Sequence, residues 1–256
     1  MQVVMSIAGS DSGGGAGIQA DLKTFEAFGV FGTTAITVMT AQNTLGVDAI
    51  FELPASFVKE QIDAIANDFD IAAVKIGMLY SKEIIEVVRE FIATLDVPVV
   101  LDPVFISKAD SKLLRDDAIE EMKMLFKYAT LLTPNSYEAY ALFGYRFGDT
   151  PSLKAIHEQK CPILVKNHIL ELPNGVASID QLFFRHQKRV FQTPFLDSDN
   201  THGTGCSYSS AIAANLALGH TLEKSIEISK NFIYKAILNA PDIGHGAGPI
   251  NHKAGV

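Results

Sequence analysis

Two segments of this chain combine residue types and spacing suited to chemistry on a phosphate. The first is Gly9-Ser-Asp-Ser-Gly-Gly-Gly-Ala-Gly17, nine residues with five glycines, placed between an apolar run and a stretch of helical spacing. Such a loop lets a ligand approach the backbone closely and turns amide N–H groups outward. A Walker A loop is excluded, because Gly14 is followed by Gly15 where a lysine would have to meet the β- and γ-phosphates. Gly15-Ala-Gly17-Ile-Gln-Ala20 does match the dinucleotide pattern GxGxxA. The following strand, however, ends at Met39-Thr-Ala-Gln42 without the acid that holds a ribose, so a nicotinamide dehydrogenase is the weaker reading.

The second segment is Asn200-Thr-His-Gly-Thr-Gly-Cys206, followed at once by the Ala- and Ser-rich stretch Ser207–Leu218. Gly203 and Gly205 free the backbone to aim N–H groups at one point, and a helix start adds its positive end there, which suits a phosphoryl group in transfer. At that first turn the helix dipole is expected to lower the Cys206 thiol pKa and offer a thiolate as base. A cysteine beside glycines at a helix start also fits a small buried packing residue, and the sequence leaves both readings open.

A third set of polar residues stands at strand ends, where parallel sheets place their ligands. Asp102-Pro-Val104 follows Val99–Leu101; Thr133-Pro-Asn135, with Glu138 a turn later, follows Leu131-Leu132; Lys166 ends Ile163–Val165. Asp102 and Glu138 suit Mg²⁺, which favours one or two carboxylates plus phosphate oxygens, and Lys166 suits a phosphate. Singly, each also fits a cap, a solvated helix residue or a surface lysine.

The elements that must position these residues are legible from hydrophobic period. Short apolar runs at Val3–Ala8, Thr33–Met39, Ala72–Ile76, Val99–Leu101, Thr130–Leu132 and Ile163–Val165 read as strands. Between them lie helical patterns over Gly17–Phe28, Pro54–Ala66, Lys82–Thr94, Asp116–Phe126, Ser136–Phe143 and Leu153–Gln159. Gly175–Phe191 reads as an edge hairpin with basic Arg185, Lys188 and Arg189, and two helices close the chain, Gly205–Leu218 and one behind Thr221 as N-cap. Repeated βα units without a linker or internal repeat predict a single domain over 1–256: a three-layer α/β/α sandwich on a mainly parallel central sheet.

Composition narrows the partners. In 256 residues, 29 acids face 21 Lys and Arg, a formal charge of −8, which argues against a nucleic-acid partner held by counterion release and for a small ligand. No apolar stretch approaches the ~18 residues of a membrane span. Only Cys161 and Cys206 occur and no basic segment precedes Val3–Ala8, so a secretory signal and a disulfide framework are not expected, and a reducing, cytoplasmic setting is.

Seven blocks, in order and from end to end, resemble the hydroxymethylpyrimidine/phosphomethylpyrimidine kinases of thiamine biosynthesis, within the ribokinase-like superfamily: Ile7–Thr24, Thr40-Ala-Gln-Asn-Thr44, Val74-Lys-Ile-Gly-Met78, Leu101-Asp-Pro-Val104, Thr133-Pro-Asn135, Asn200–Cys206 and Ile243–His252. The resemblance implies ATP- and Mg²⁺-dependent phosphorylation of a hydroxymethyl group on an aminopyrimidine, then of its monophosphate. It implies that Gln42 reads the ring nitrogen and exocyclic amine, with Asp21 a second polar contact and Gly9, Met78 and Val104 shaping the pocket. Gly203, Thr204 and Gly205 would form the anion hole and Cys206 the base. Asp102, Asn135 and Glu138 would organise magnesium and phosphates, and Lys166 and Lys230 would neutralise phosphate charge.

A homodimer is also expected from the resemblance. One departure stands out: Val165-Lys-Asn-His-Ile169 lacks the two glycines that the family places after the lysine, so nucleotide approach there requires a shifted loop or is weakened. A pyridoxine or pyridoxal kinase and a non-catalytic pyrimidine sensor are the alternatives.

Overall fold

A computed structural model describes residues 1–105, 118–149 and 153–254. The chain runs β1 (Val3–Asp11), α1 (Gly17–Ala27), β2 (Phe31–Gln42), β3 (Val47–Glu52), α2 (Ala55–Ala66), β4 (Ile71–Ile76), α3 (Lys82–Ile92), β5 (Val99–Leu101). It continues through α4 (Ile119–Lys123), β6 (Leu131–Leu132), α5 (Ser136–Phe143), α6 (Leu153–His157), β7 (Ile163–Leu172), β8 (Gly175–Phe184), β9 (Gln187–Pro194), α7 (Thr204–Ala217) and α8 (Leu222–Leu238). The nine strands among the described residues form one sheet in the order β3-β2-β1-β4-β5-β6-β7-β8-β9. The pairs from β2 through β1, β4, β5 and β6 to β7 are parallel; β3 and the β7-β8-β9 meander add antiparallel edges.

The period of two in the central strands explains the layers. Met5 and Ile7, Val74 and Ile76, Val99 and Leu101, Leu132, Ile163 and Val165 share one core with Val58, Ile62, Ile84, Ile85 and Val88 of α2 and α3. Val4, Ala73, Val100, Leu131 and Leu164 point the other way, against Phe25 of α1, Ile212 and Ala213 of α7 and Ile226 of α8. A strand apolar on both faces must be covered on both; the crossover helices α1, α2 and α3 and the final helices α7 and α8 supply the cover.

The predicted strands and helices lie where hydrophobic period placed them, with informative differences at the edges. β3 went unrecognised: its faces are mostly exposed or half-buried, so Val47–Glu52 lacks the apolar run of an interior strand. β7 continues past Val165 as the first arm of a hairpin with β8. The helix expected over Asp116–Phe126 is a short α4 followed by a 3-10 turn at Phe126–Tyr128; Asp116 and Asp117 lie outside the described residues. Thr221 caps α8, its side chain accepting the Lys224 N–H. Among the described residues, no helix is long and apolar enough to cross a membrane.

Candidate active site

The carboxyl ends of the parallel strands open into one cavity. It is lined by Ala8–Asp11 from the end of β1, Thr40 and Gln42 from β2, Lys75 from β4, Asp102 after β5, Asn135 after β6, and Lys166 and Asn167 from β7. The loop into α7 and its first turn, His202–Cys206, close one wall, and Met78 and Val104 supply apolar surface. The chain leaves β1 toward β2 on one side and β4 lies on the other, the switch in strand order at which α/β sheets hold ligands.

The glycine-rich loop serves this cavity differently from the outward-facing cradle expected of it. Asp11 folds back into its own loop and accepts N–H bonds from Gly13 (2.8 Å), Gly15 (3.0 Å) and Ala16 (2.8 Å). Those amides are therefore unavailable to a pyrophosphate, which removes the physical basis of the dinucleotide reading. His202 Nε2 lies 2.9 Å from Asp11 Oδ2. Burial works to raise the Asp11 pKa, but the His202 and backbone hydrogen bonds outweigh it and hold the carboxyl below its ordinary value. Gly15 and Gly203 are required because the two loops interlock: a Cβ at 203 would collide with the Gly15 carbonyl, and a Cβ at 15 with the His202 ring. Gly203 also takes the left-handed conformation, with φ 78°.

Gln42 reaches the cavity beside this pair. One end of its carboxamide lies 3.4 Å from His202 Nε2 and the other 3.1 Å from the Thr40 hydroxyl. The C-terminal block Ile243–His252, to which the sequence assigned no role, straps the same corner. Thr44 Oγ1 accepts the His245 and Gly246 N–H groups, and the Gly248 carbonyl accepts the His202 N–H.

At the mouth of α7, Gly203 is the N-cap and the first-turn amides of Gly205 and Cys206 have no intrahelical acceptor. The Thr204 N–H, expected to serve an anion hole with Gly203 and Gly205, instead turns back to the Thr201 carbonyl at 3.3 Å. A Cβ at Gly205 would meet Lys166 Nζ and Asp102 Oδ2 only at ordinary contact distance, 3.6 and 3.7 Å, which places the α7 mouth beside that pair.

The Cys206 thiol departs from the expected dipole-lowered pKa. Burial pushes it up; Lys75 opposes this, Asp21 and Asp102 add to it, and the Gly17 N–H relieves it slightly, leaving the thiol above its ordinary value. Desolvation beats a helix end here because the helix contributes only partial charge.

Asp21, expected to contact substrate, does not line the cavity. It is fully buried behind it, accepting from Lys75 Nζ at 2.9 and 2.8 Å, Ser6 Oγ at 2.6 Å and Ser210 Oγ at 2.7 Å. The group that does reach the cavity wall is Lys75. Burial alone would lower its pKa, but Asp21, supported by Cys206 and Asp102, outweighs burial and keeps the amine charged. A lysine inside the strand run Ile71–Ile76 was the sequence signal for this pair.

On the far side, Lys166 Nζ lies 2.7 Å from Asp102 Oδ1, both side chains almost wholly buried. Thr133 donates to the same oxygen at 3.1 Å, and Ser209 Oγ lies 3.4 Å from Oδ2. Asn135 and Glu138 form a reciprocal capping box at the start of α5, with bonds of 2.9 and 2.8 Å. Burial and then the Asp102 charge raise the Glu138 pKa to about 8, against the pull of Lys166 and the Asn135 and Phe105 N–H groups. Two carboxylates that repel in this way, open to a cavity that can admit phosphate oxygens, are a donor set that magnesium fits.

Lys230 lies in a neighbouring cavity that shares Asn167 and Thr204 with the first. Its amine is 2.8 Å from Asp180 and 3.1 Å from Ser178 Oγ. Asp180 also accepts the Asn167 N–H at 2.9 Å and the Tyr208 hydroxyl at 2.8 Å. Where the family's glycines are missing, β7 bulges between Val165 and His168, and Asn167 takes φ 64°, a left-handed conformation that asparagine tolerates. The His168 ring stacks on Phe147.

A family model for phosphomethylpyrimidine kinase matches residues 11–251. The chain belongs to the phosphomethylpyrimidine kinase family. It is 44% identical to the hydroxymethylpyrimidine/phosphomethylpyrimidine kinase of Haemophilus influenzae, over 98% of this chain and 96% of that protein. A crystal structure of phosphomethylpyrimidine kinase from Clostridium difficile superposes with a TM-score of 0.78 at 38% identity, covering 93% and 100% of the two chains. The ADP complex of Bacillus subtilis pyridoxal kinase superposes at 0.86 with 31% identity, covering 99% and 98%. The fold is thus the ribokinase-like one, and the chain is a kinase of this family.

Proposed function

We propose that this enzyme phosphorylates the hydroxymethyl group of 4-amino-5-hydroxymethyl-2-methylpyrimidine with ATP, and then the resulting monophosphate to the diphosphate, as a step of thiamine biosynthesis. The observation that carries the reading is the convergence on one cavity of Gln42, the Cys206 thiol, the first-turn amides of α7 and the Asp102-Lys166-Glu138 group. Gln42 offers a donor and an acceptor side by side, the complement of a ring nitrogen next to an amine. Gly9, Met78 and Val104 line the ring site.

Phosphoryl transfer asks a protein mainly for positioning and charge stabilisation. The thiolate form of Cys206, reached by loss of the thiol proton to solvent, receives the hydroxyl proton late, as the new bond to phosphorus forms and the bond from that phosphorus to the leaving ADP oxygen breaks. A thiol held above its ordinary pKa is scarce as thiolate but basic once formed, and Lys75 behind it limits the cost of that negative charge. The Gly205 and Cys206 amides and Lys166 neutralise charge on the transferring group. Magnesium, held by Asp102 and Glu138 with phosphate oxygens, would supply further charge neutralisation on the nucleotide. Asn135, Asn167 and Lys230 border the route by which the nucleotide phosphates reach the first cavity. Asp21 acts through Lys75 as a positioning residue.

The enzyme is further assigned to the cytoplasm, where its two free cysteines remain reduced, and to a symmetric homodimer, the commonest oligomer of soluble proteins. The test is a kinase assay with hydroxymethylpyrimidine and pyridoxine side by side, following mono- and diphosphate separately. Both pyrimidine products are expected, with magnesium required; turnover of pyridoxine in preference to the pyrimidine would overturn the reading in favour of a pyridoxal kinase.

A further inference from the structure

Side-chain amides present oxygen and nitrogen in interchangeable shapes, so hydrogen-bond logic decides which way round Gln42 sits. Asp11 already accepts three backbone N–H groups and has His202 Nε2 at 2.9 Å. An ionised carboxylate only accepts, so His202 Nε2 carries the proton. That one proton goes chiefly to Asp11, and the carboxamide end 3.4 Å from the same nitrogen must then be the oxygen, which can take the weaker arm of a shared bond, because an NH₂ there would set donor against donor. The other end follows. Thr40 has one hydroxyl proton, donated to the Ser10 carbonyl at 2.9 Å, so at 3.1 Å its oxygen accepts from the Gln42 NH₂. In this orientation no donor faces a donor.

We propose that His202, anchored by Asp11, and Thr40 lock the Gln42 carboxamide in one orientation, making them positioning residues that determine specificity for the amino edge of the substrate ring. The locked amide keeps one oxygen lone pair and one N–H for a ligand, in a fixed left-to-right order. A ring carrying an amine beside a ring nitrogen complements both, within the cavity that Gln42 shares with Cys206. A ring lacking the amine leaves the half-buried carboxamide oxygen without a ligand donor, which a freely turning amide would avoid. His202 is itself fixed from behind, with its N–H on the Gly248 carbonyl and its ring against Gly15. The segment Ile243–His252 thereby gains a part in recognition.

The inference rests on the pyrimidine reading above, and the experiment separates the two. Affinity and kcat/KM are measured for hydroxymethylpyrimidine and for its analogue with methyl in place of the amine, in wild type, H202L, H202Q and T40V. Wild type is expected to favour the amine by about 10- to 100-fold. H202L and T40V are expected to cut that preference to within about 3-fold, acting on KM more than on kcat, while H202Q, whose amide replaces the Nε2–H donor, restores it. A merely structural role would weaken both ligands equally and leave their ratio intact, as would an amide that needs no orienting; an unchanged ratio in H202L and T40V refutes the proposal. Wild type that binds no aminopyrimidine refutes the pyrimidine reading itself, and the proposal with it.

Discussion

Replacing Lys75 by methionine tests the electrostatics behind the Cys206 thiol. Methionine is close to lysine in length, so packing is largely kept while the charge is lost. Asp21 would remain fully buried, with only the Ser6 and Ser210 hydroxyls as partners. Removing one member of a buried pair costs about 3–5 kcal/mol. At about 2–4 °C per kcal/mol for a chain of this size, the midpoint of thermal unfolding should fall by about 6–20 °C. The double variant D21N/K75M removes the stranded charge as well and should recover most of the loss, since a neutral pair of similar volume is often as stable as the ion pair. The same series reports on Cys206, whose thiol Lys75 holds down against burial. In K75M the pH midpoint of alkylation by iodoacetamide should move further upward, and in D21N/K75M it should return part of the way. Denaturation by urea and the pH dependence of alkylation supply both readouts. K75M within about 1 kcal/mol of wild type, or with an unmoved alkylation midpoint, would refute the argument, because burial on this scale admits no neutral outcome.

Two further predictions concern single residues. Cys206→Ala should lower kcat by about 10²-fold or more and leave KM for the pyrimidine nearly unchanged, since the thiol acts in the transition state; steady-state kinetics decide, and full turnover would remove the thiol from the mechanism. His252, buried against Ser207 with its Nε2 2.9 Å from Oγ, is held by burial, and secondarily by Lys23, at about 4 against an ordinary 6.5. The folded state therefore favours the neutral ring: its contribution is full above pH 6.5 and is lost as the pH falls toward 4. Between pH 7.5 and 4.5 urea denaturation should show wild type losing about 2–3 kcal/mol more than H252Q, and equal losses would contradict the assignment.

The layers of this protein were legible in the chain because strands apolar on both faces and helices apolar on one stripe are local patterns with different periods. The same holds for the ends of those strands, where Asp102, Asn135 and Lys166 stand at positions that a parallel sheet gathers on one side. β3 escaped notice because an edge strand with little burial carries little hydrophobic signal. Asp116 and Asp117, expected in a helix, fall outside the described residues.

What no local pattern holds is which groups face each other after folding. Asp21 and Lys75 are 54 positions apart, and Asp11 and His202 are 191 apart; each pair is consistent with many roles until the sheet brings its members together. Tertiary contact turned Asp21 from a substrate contact into the anchor of Lys75. It also turned the glycine-loop amides inward onto Asp11 and raised the thiol that a helix end alone would have lowered. Residue types and spacing thus determined the family of chemistry and the end of the sheet where it occurs. Burial and pairing across distant segments decided the charge each group carries there, because desolvation and close opposite charge outweigh any field that a single helix or loop can exert.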